Sequence, residues 1–498
     1  MIKKFSDFFI KRERIFDIVC ILAYTVLTLL LVLHHEPWRD EARPWLLVQK
    51  FGFFELFFRK LSQEGHPFLW YFLLFPFVKF GFPYSAMLLL NWIIAVGAAA
   101  LFVIKAPFPR VFKCAFIFSY YMFYEYAVIA RNYALSTFIL FAVASFYKKR
   151  HESMVPYCIC LFLLFNTHYF LYPLAAALWS LLVYETFKRK DFSRQSVIAL
   201  GIASLGALLA FLNGLLIATD VHAEGMFKVA QSKNIFEPIA RFLFPAQWDI
   251  SYNLSVIIGF VVLVLLFAFF LRKPGIFYLF LVSNIFLFYF FMCLYPGNLR
   301  HFGLVLMICL FLLWIELYHP PSLLLRFGQE PFQKIRTIIM IIVFFGLALS
   351  WRASQLTGFL EWRRNFSASK EAAKKIEEVS KKSNLQNEVI VCDRSDAASA
   401  VVPYLPNRKF WFAEIQGFGT YQQSSKRYLF PEPLRPEEVL IRAGKNFQGL
   451  DNLIFLFTRP IEFDQRFGYQ FVPIYASGND VWGYGIEKYF IYKARPIP

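Results

Sequence analysis

The sequence predicts a mainly α, polytopic membrane bundle of about 11 spans, followed by a small C-terminal α/β domain. Three observations carry that fold class. Of 498 residues, 58% are hydrophobic and only 17% charged, where an average soluble domain is roughly 25% charged. Long apolar runs alternate with short basic clusters. After Arg352 the composition changes to ordinary soluble patterns.

The net charge of +18 would suggest a nucleic-acid partner in a soluble protein. Here the basic residues lie between apolar runs, as the positive-inside rule expects. Nucleic acid is therefore set aside as a partner, and part of the charge suits anionic lipid head groups. The basic start, with Lys3, Lys4, Lys11, Arg12 and Arg14, leads into a full-length span without a small-residue cleavage site, so no cleavable signal is expected.

Basic clusters at 1–14, 105–113, 148–151, 188–194, 272–273 and 326–336 mark the cytoplasmic side. Between them the spans read as 15–34, 84–104, 111–127, 132–147, 154–167, 168–187, 196–217, 252–271, 275–295, 302–318 and 337–353. Several fall short of the roughly 20 residues of a straight crossing. Short helices suit the wall of a water-filled cavity or a thinned bilayer.

Residues 68–80 (FLWYFLLFPFVKF) are apolar enough to resemble another span. A full crossing there would invert every later basic cluster. We therefore read 46–61 and 68–80 as juxtamembrane or re-entrant helices, the competing reading being a true span at 68–80. The stretch LLVQKFGFFELFFRK, with Lys50, Glu55, Arg59 and Lys60 breaking an aromatic face, suits an interfacial helix.

This topology leaves the N-terminus cytoplasmic. It gathers the polar, spanless segments outside: 35–67, 125–131, the 166–169 turn, 218–251 and 296–301. Residues 1–364 form the membrane domain and 365–498 an extracytoplasmic α/β domain. In the latter, SASKEAAKKIEEVSKK reads as an amphipathic helix with Ser367 as N-cap. NEVIVCDRSD reads as a buried strand into a turn, with further strands at 410–412, 453–457 and 489–492. The seven cysteines show neither metal spacing nor a disulfide framework.

Charges near bilayer depth are costly and usually functional. Five groups stand out. Glu36, Arg39, Asp40, Glu41 and Arg43 follow the first span. The adjacent carboxylates of Asp40 and Glu41 can supply a general base or bind a divalent metal. The competing reading is an ordinary helix cap. Glu64-Gly65-His66-Pro67 forms a turn at the membrane surface, where His66 can meet phosphate, bind metal or simply face solvent. Glu125 and Arg131 flank a polar break. Arg131 suits phosphate through its planar fork, or else pairs with Glu125 as a structural ion pair.

His168, in NTHYF, is either a turn residue between two spans or a satisfied core residue. Arg300 and His301, in YPGNLRHFG, cap a span, and Arg300 is a second phosphate candidate, with snorkelling as the alternative. The loop 218–251 adds Asp220, His222, Glu224, Lys228, Lys233, Arg241 and Asp249. That mix suits docking of a lipid-linked or sugar substrate.

The order of these motifs resembles the C-type (GT-C) membrane glycosyltransferases, nearest to protein O-mannosyltransferases and lipid A aminoarabinose transferases, a family-39-like group. The carrying residues are Asp40-Glu41-Ala42, GHPFLWYFLL from Gly65, IARNYAL ending at Leu135, THYF from Thr167 and LRHFG from Leu299. They lie within residues 15–320, and the tail matches more loosely. Each motif is short, so the specificity lies in their order.

The resemblance implies a GT-C-like fold and inverting transfer of a sugar from a polyprenyl-phosphate donor to a glycan, lipid or protein acceptor. The site would face the outside of a bacterial inner (plasma) membrane. By that analogy Asp40 and Glu41 are catalytic, with Asp40 the base. His66, Arg131, Arg300 and Arg39 bind donor phosphate or sugar, and Glu64, Glu125, His168 and His301 support them. Relatives often carry an acidic residue where this chain has Arg131-Asn132-Tyr133. A divalent metal therefore stays open, with Asp40, Glu41 and His66 as its candidate ligands. No other cofactor is expected.

Two other readings compete. A flippase for lipid-linked saccharides would use the same basic cavity, but such transporters hold charges near the midplane in paired repeats, and no repeat is evident. An assembly scaffold would depend on 365–498 and not on Asp40.

Overall fold

The computed structural model describes residues 2–61, 64–215, 236–245, 250–319, 329–382, 388–421, 434–462, 465–478, 480–483 and 487–497. Among these, eight helices are long and apolar enough to cross a membrane: Glu13–His34, Ala86–Lys105, Tyr169–Arg189, Arg194–Gly214, Tyr252–Phe270, Pro274–Cys293, Leu299–Tyr318 and Pro331–Arg363. The chain is mainly helical and has the character of an integral membrane protein.

The N-terminal half comprises α1 (Ile2–His34), α2 (Arg39–Lys50), α3 (Leu69–Lys79), α4 (Ala86–Lys105), α5 (Arg110–Ile117), α6 (Asn132–Tyr147), α7 (Met154–Phe165), α8 (Tyr172–Arg189) and α9 (Arg194–Leu215). Then follow α10 (Glu237–Arg241), α11 (Tyr252–Phe270), α12 (Pro274–Tyr289), α13 (Leu299–Ile315) and α14 (Gln329–Arg363). Helix α13 is the hub. Its apolar window is 89% buried, against at most 50% in the other seven, so protein and not lipid surrounds it.

Of the expected spans, two are short helices, as their lengths implied, and one is broken. Residues 132–147 and 154–167 form short helices of 16 and 12 residues. The segment 111–127 breaks into α5 and a π-helical turn at Tyr121–Glu125. The break is polar: Ser119 Oγ donates back to Phe116 O, and Tyr121 Oη donates to Arg241 O. Side chains that capture carbonyls in this way compete with a continuous helix.

In the juxtamembrane region the helix expected at 46–61 is divided, while the one expected at 68–80 is a single short helix. Helix α2 starts at Arg39 and stops at the extended backbone of Phe51. A short turn, Phe53–Glu55, then runs into a π-helical segment, Leu56–Lys60. Helix α3 has 11 residues, so at 1.5 Å per residue it is only about 16 Å long, far less than the roughly 30 Å hydrocarbon core.

The C-terminal residues build a seven-stranded sheet with the order β3-β2-β1-β4-β7-β6-β5. The strands are β1 (Val389–Cys392), β2 (Lys409–Phe412), β3 (Gly417–Phe418), β4 (Leu453–Phe457), β5 (Gln465–Arg466), β6 (Tyr469–Ala476) and β7 (Phe490–Pro496). β2, β1 and β4 run parallel and the other pairings are antiparallel. Helices α15 (Ser369–Lys382), α16 (Ser395–Val401) and α17 (Pro436–Asn446) accompany the sheet.

Ser367 Oγ accepts from Ser369 N at 3.2 Å, as an N-cap serine does. The strands expected at 453–457, 410–412 and around 390 are present, as is β7. β6 has no simple alternation because Pro473 interrupts it, and the ladder bulges between Pro473 and Tyr475.

Alternation across the sheet fixes how it sits. Ile390 and Ile491 join the apolar cluster of the helical body, together with Trp38, Trp45 and Phe366. Val391, Trp411 and Phe455 face away and pack with Val439 and Leu440 of α17. One sheet face therefore continues the core of the membrane domain.

Candidate active site

The candidate residues lie at helix ends on one side of the bundle. Asp40 is in the first turn of α2. Arg131 immediately precedes α6, His168 lies in the turn between α7 and α8, and Arg300 and His301 open α13. His66 lies in the turn before α3, whose Gly65 has φ +67, a conformation open mainly to glycine.

Asp40 is the centre of this group. Its Oδ2 accepts from Arg300 Nη2 at 2.9 Å, and its Oδ1 lies 4.0 Å from Arg39 Nε. Arg131 Nη1 donates to the Asp40 backbone carbonyl. The Asp40 side chain keeps 32% exposure, against 7% for Arg300. Burial by itself would raise the Asp40 pKa. The Arg300, Arg131 and Arg39 charges outweigh it and hold the carboxyl below the usual range.

Both cations are themselves positioned. The Arg300 guanidinium lies 5.1 Å from the Trp38 ring centroid, a cation–π distance. Tyr126 Oη donates to Arg300 O at 2.9 Å. A Cβ added to Gly303 would collide with Tyr126 Oη and the Tyr121 ring. Glycine in LRHFG therefore lets α13 approach this tyrosine pair. Arg131 Nη2 donates to His66 Nε2 at 3.0 Å.

Three imidazoles follow from His66 inward. The His66 and His168 ring centroids are 4.9 Å apart, and those of His168 and His301 5.8 Å. Tyr133 lies 5.2 Å from His168 and 5.6 Å from His301. Burial, then the like charges of His168 and Arg131, push His66 well below its ordinary pKa, so it is neutral at physiological pH.

Glu41 occupies a different environment from Asp40. Its side chain is fully buried beside His35. Its Oε2 meets His35 Nε2 at 2.9 Å and accepts from Trp38 N at 3.2 Å, while Oε1 accepts from Ala130 N at 2.6 Å. His35 Nδ1 meets Glu361 Oε1 at 3.0 Å, and Tyr124 Oη donates to Glu361 Oε2 at 2.6 Å. This chain ties α2 to α14. Glu41 braces the helix that presents Asp40.

The other candidates fall into three positions. Glu64 receives Arg43 Nε at 2.8 and 2.9 Å and Tyr71 Oη at 3.1 Å, a closed cluster at the base of the turn. Glu125 accepts from Tyr120 Oη at 2.8 Å, while Arg131 engages Asp40 and His66, so the alternative reading of a structural Glu125–Arg131 ion pair is not what the structure has. Arg39, expected at donor phosphate, pairs with Asp396 of the C-terminal unit, and its backbone N–H donates to Glu487 Oε1 at 2.9 Å. Arg394 grips the same Asp396 at 2.7 Å. Glu36 is half-buried, and burial raises its pKa to about 7.

Among the described residues no group of three or more His, Cys, Asp or Glu side chains converges as metal ligands would. Asp40, Glu41 and His66 thus do not assemble into a ligand set: Glu41 points into the His35 network. Of the long loop, Asp220, His222, Glu224, Lys228, Lys233 and Asp249 lie outside the described residues. Arg241 pairs with Glu237 at 2.9 Å.

His35, Trp38, Glu361, Asp396 and Glu487 were not singled out as site residues from sequence. Glu361 carried a usable signal, as an acid at the end of a long apolar helix. Asp396 and Glu487 carried none, since their role depends on how the C-terminal unit docks.

No family model matches the chain, and no curated protein matches it. Among solved structures, the chain is similar to the crystal structure of ArnT from Cupriavidus metallidurans bound to undecaprenyl phosphate. The two share 11% identity over 96% of this chain and 97% of that one, with a TM-score of 0.46.

Proposed function

We propose that the protein is a membrane glycosyltransferase that moves a sugar from a polyprenyl-phosphate donor to a lipid, glycan or protein acceptor on the extracytoplasmic face. The observation that carries this reading is the surroundings of Asp40. A partly exposed carboxylate sits beside two guanidiniums at the ends of apolar helices.

The chemistry asks for these groups. The acceptor hydroxyl oxygen forms a bond to the anomeric carbon as the bond to the phosphate oxygen breaks. The proton passes to a carboxylate and the lipid phosphate departs as an anion. Arg300 engages Asp40 Oδ2, which leaves Oδ1 as the oxygen to take the proton. Arg131 and Arg300 supply fixed positive charge where the phosphate leaves. A single displacement inverts the anomeric centre.

The order of sequence motifs supports the same reading. Charges gathered at helix ends, and not at mid-helix, favour it over a flippase. In a bacterial host, deletion of the gene followed by mass spectrometry of envelope glycans, lipids and proteins tests it. One class of molecule should lose a single sugar residue and regain it on complementation. An unchanged envelope would count against transfer.

A further inference from the structure

The C-terminal sheet carries a feature of its own beside the membrane site. β1 leads through α16 to β2 on one side, while β4 lies on its other side. Helix α16 packs on the sheet face that joins the helical body, through Ala397, Ala398 and Val401, and α17 packs on the opposite face. The strand order therefore reverses between β1 and β4, with a helix on each face. In open sheets of this kind, ligands bind in the crevice outside the carboxyl ends of the strands at the reversal.

Three segments leave those carboxyl ends: 393–396 after β1, 413–414 after β2 and 458–459 after β4. Apart from Ala413 their side chains are polar. Asp393 Oδ2 accepts from Thr458 N at 2.9 Å and from Thr458 Oγ1 at 2.7 Å, which ties the ends of β1 and β4 together. Glu414 Oε2 accepts from Ser395 N at 3.0 Å and Ser395 Oγ at 2.6 Å, which ties β1 to β2. The same rim meets the membrane site. Asp396 receives both Arg39 and Arg394, and Arg39 Nε lies 4.0 Å from Asp40 Oδ1. Arg394 commits one edge to Asp396, with Nε donating to Oδ1 at 2.9 Å and Nη2 to Oδ2 at 2.7 Å. Its Nη1 has no hydrogen-bond partner among the described residues. Solvent reaches the row Asp40, Arg39 and Arg394, whose side chains are 32%, 26% and 19% exposed.

We propose that this row is the acceptor side of the active site: a saccharide acceptor lies across the crevice, Arg394 Nη1 donates to one of its oxygens, and its attacking hydroxyl reaches Asp40 Oδ1. This rests on the glycosyltransferase reading. The guanidiniums of Arg39, Arg394 and Arg459 are matched by the carboxylates of Asp393, Asp396 and Glu414, so the rim has no net charge with which to draw in a phosphate. Sugar hydroxyls both donate and accept, so they suit neighbouring guanidinium and carboxylate edges. An acyl chain finds no apolar wall in the three segments.

The test combines an acceptor readout with a donor readout. A host lacking the gene is complemented with the parent, Arg394→Gln or Arg394→Lys, and mass spectrometry identifies the acceptor and scores its modification. The same full-length proteins in nanodiscs are titrated with farnesyl phosphate. The missing sugar should belong on a saccharide. Arg394→Gln should cut its modification at least about tenfold, the effect of one charge-assisted hydrogen bond. Its farnesyl phosphate affinity and unfolding temperature should stay near the parent's. Arg394→Lys keeps the charge beside Asp396 but loses the planar fork. It should fall between the two, and it carries the test if the glutamine variant does not accumulate. A missing sugar on a phospholipid or a protein, full modification by Arg394→Gln, or weaker farnesyl phosphate binding by that variant would overturn the proposal and leave the glycosyltransferase reading standing. An envelope with no missing sugar would remove both.

Discussion

Arg300 Nη2 lies 2.9 Å from Asp40 Oδ2 across 260 residues of sequence. The contact joins the first turn of α2 to the first turn of α13, the most enclosed helix of the bundle. It sets both the position and the charge state of the carboxylate.

Arg300→Gln removes the largest positive influence on Asp40. The carboxyl pKa then rises toward its ordinary value, and the acid limb of the kcat/KM profile moves to higher pH. Loss of one charge-stabilising donor should also lower kcat by about 100-fold. A pH–rate series on the variant and parent checks both effects. An unmoved acid limb would separate Arg300 from Asp40.

His35 lies between Glu41 at 2.9 Å and Glu361 at 3.0 Å. Burial disfavours its charged form, but the two carboxylates outweigh burial and raise its pKa to about 10, from an ordinary value of 6.5. The sign follows from linkage. The folded state keeps the proton to higher pH than the unfolded chain, so the contribution is complete below about pH 6.5. It declines as pH rises toward about 10. His35→Phe leaves two buried carboxylates without their counter-charge and should destabilise by about 3–5 kcal/mol. Thermal unfolding in detergent between about pH 6 and pH 10 should show a falling parent curve and a lower, flatter variant curve. A flat parent curve would contradict this.

Arg39 and Asp396 join the membrane domain to the C-terminal unit. Both are partly screened, with side-chain exposures of 26% and 9%. A double-mutant cycle with Arg39→Gln and Asp396→Asn should give a coupling of about 1 kcal/mol in thermal stability. Zero coupling would mean that the pair does not hold the two units together.

Much of this was legible in the sequence because charge is conspicuous in an apolar chain. Asp40, His66, Arg131, His168 and Arg300 each stood out against their surroundings, and the basic clusters placed them at the same ends of their helices. The division of labour between Asp40 and Glu41 was not legible. It depends on His35 reaching Glu361, 326 residues away, which no local pattern encodes. The Glu125–Arg131 pair looked reasonable from spacing alone. It fails because Tyr120, five residues away, reaches Glu125 first. The break in 111–127 was hidden because its tyrosines read as apolar, while their hydroxyls seek carbonyls across the bundle. Strand β6 was obscured by Pro473, which alternation rules treat as a stop.

The central claim is that Asp40 takes the acceptor's proton, and Asp40→Asn tests it most directly. The amide keeps the shape of the side chain but cannot act as a base. Introduced into a host lacking the chromosomal gene, the variant should accumulate in the membrane and unfold near the parent's temperature. It should leave the glycan, lipid or protein without its sugar, with transfer reduced at least about 100-fold. Transfer at the parent's rate by a normally folded Asp40→Asn protein would contradict the account.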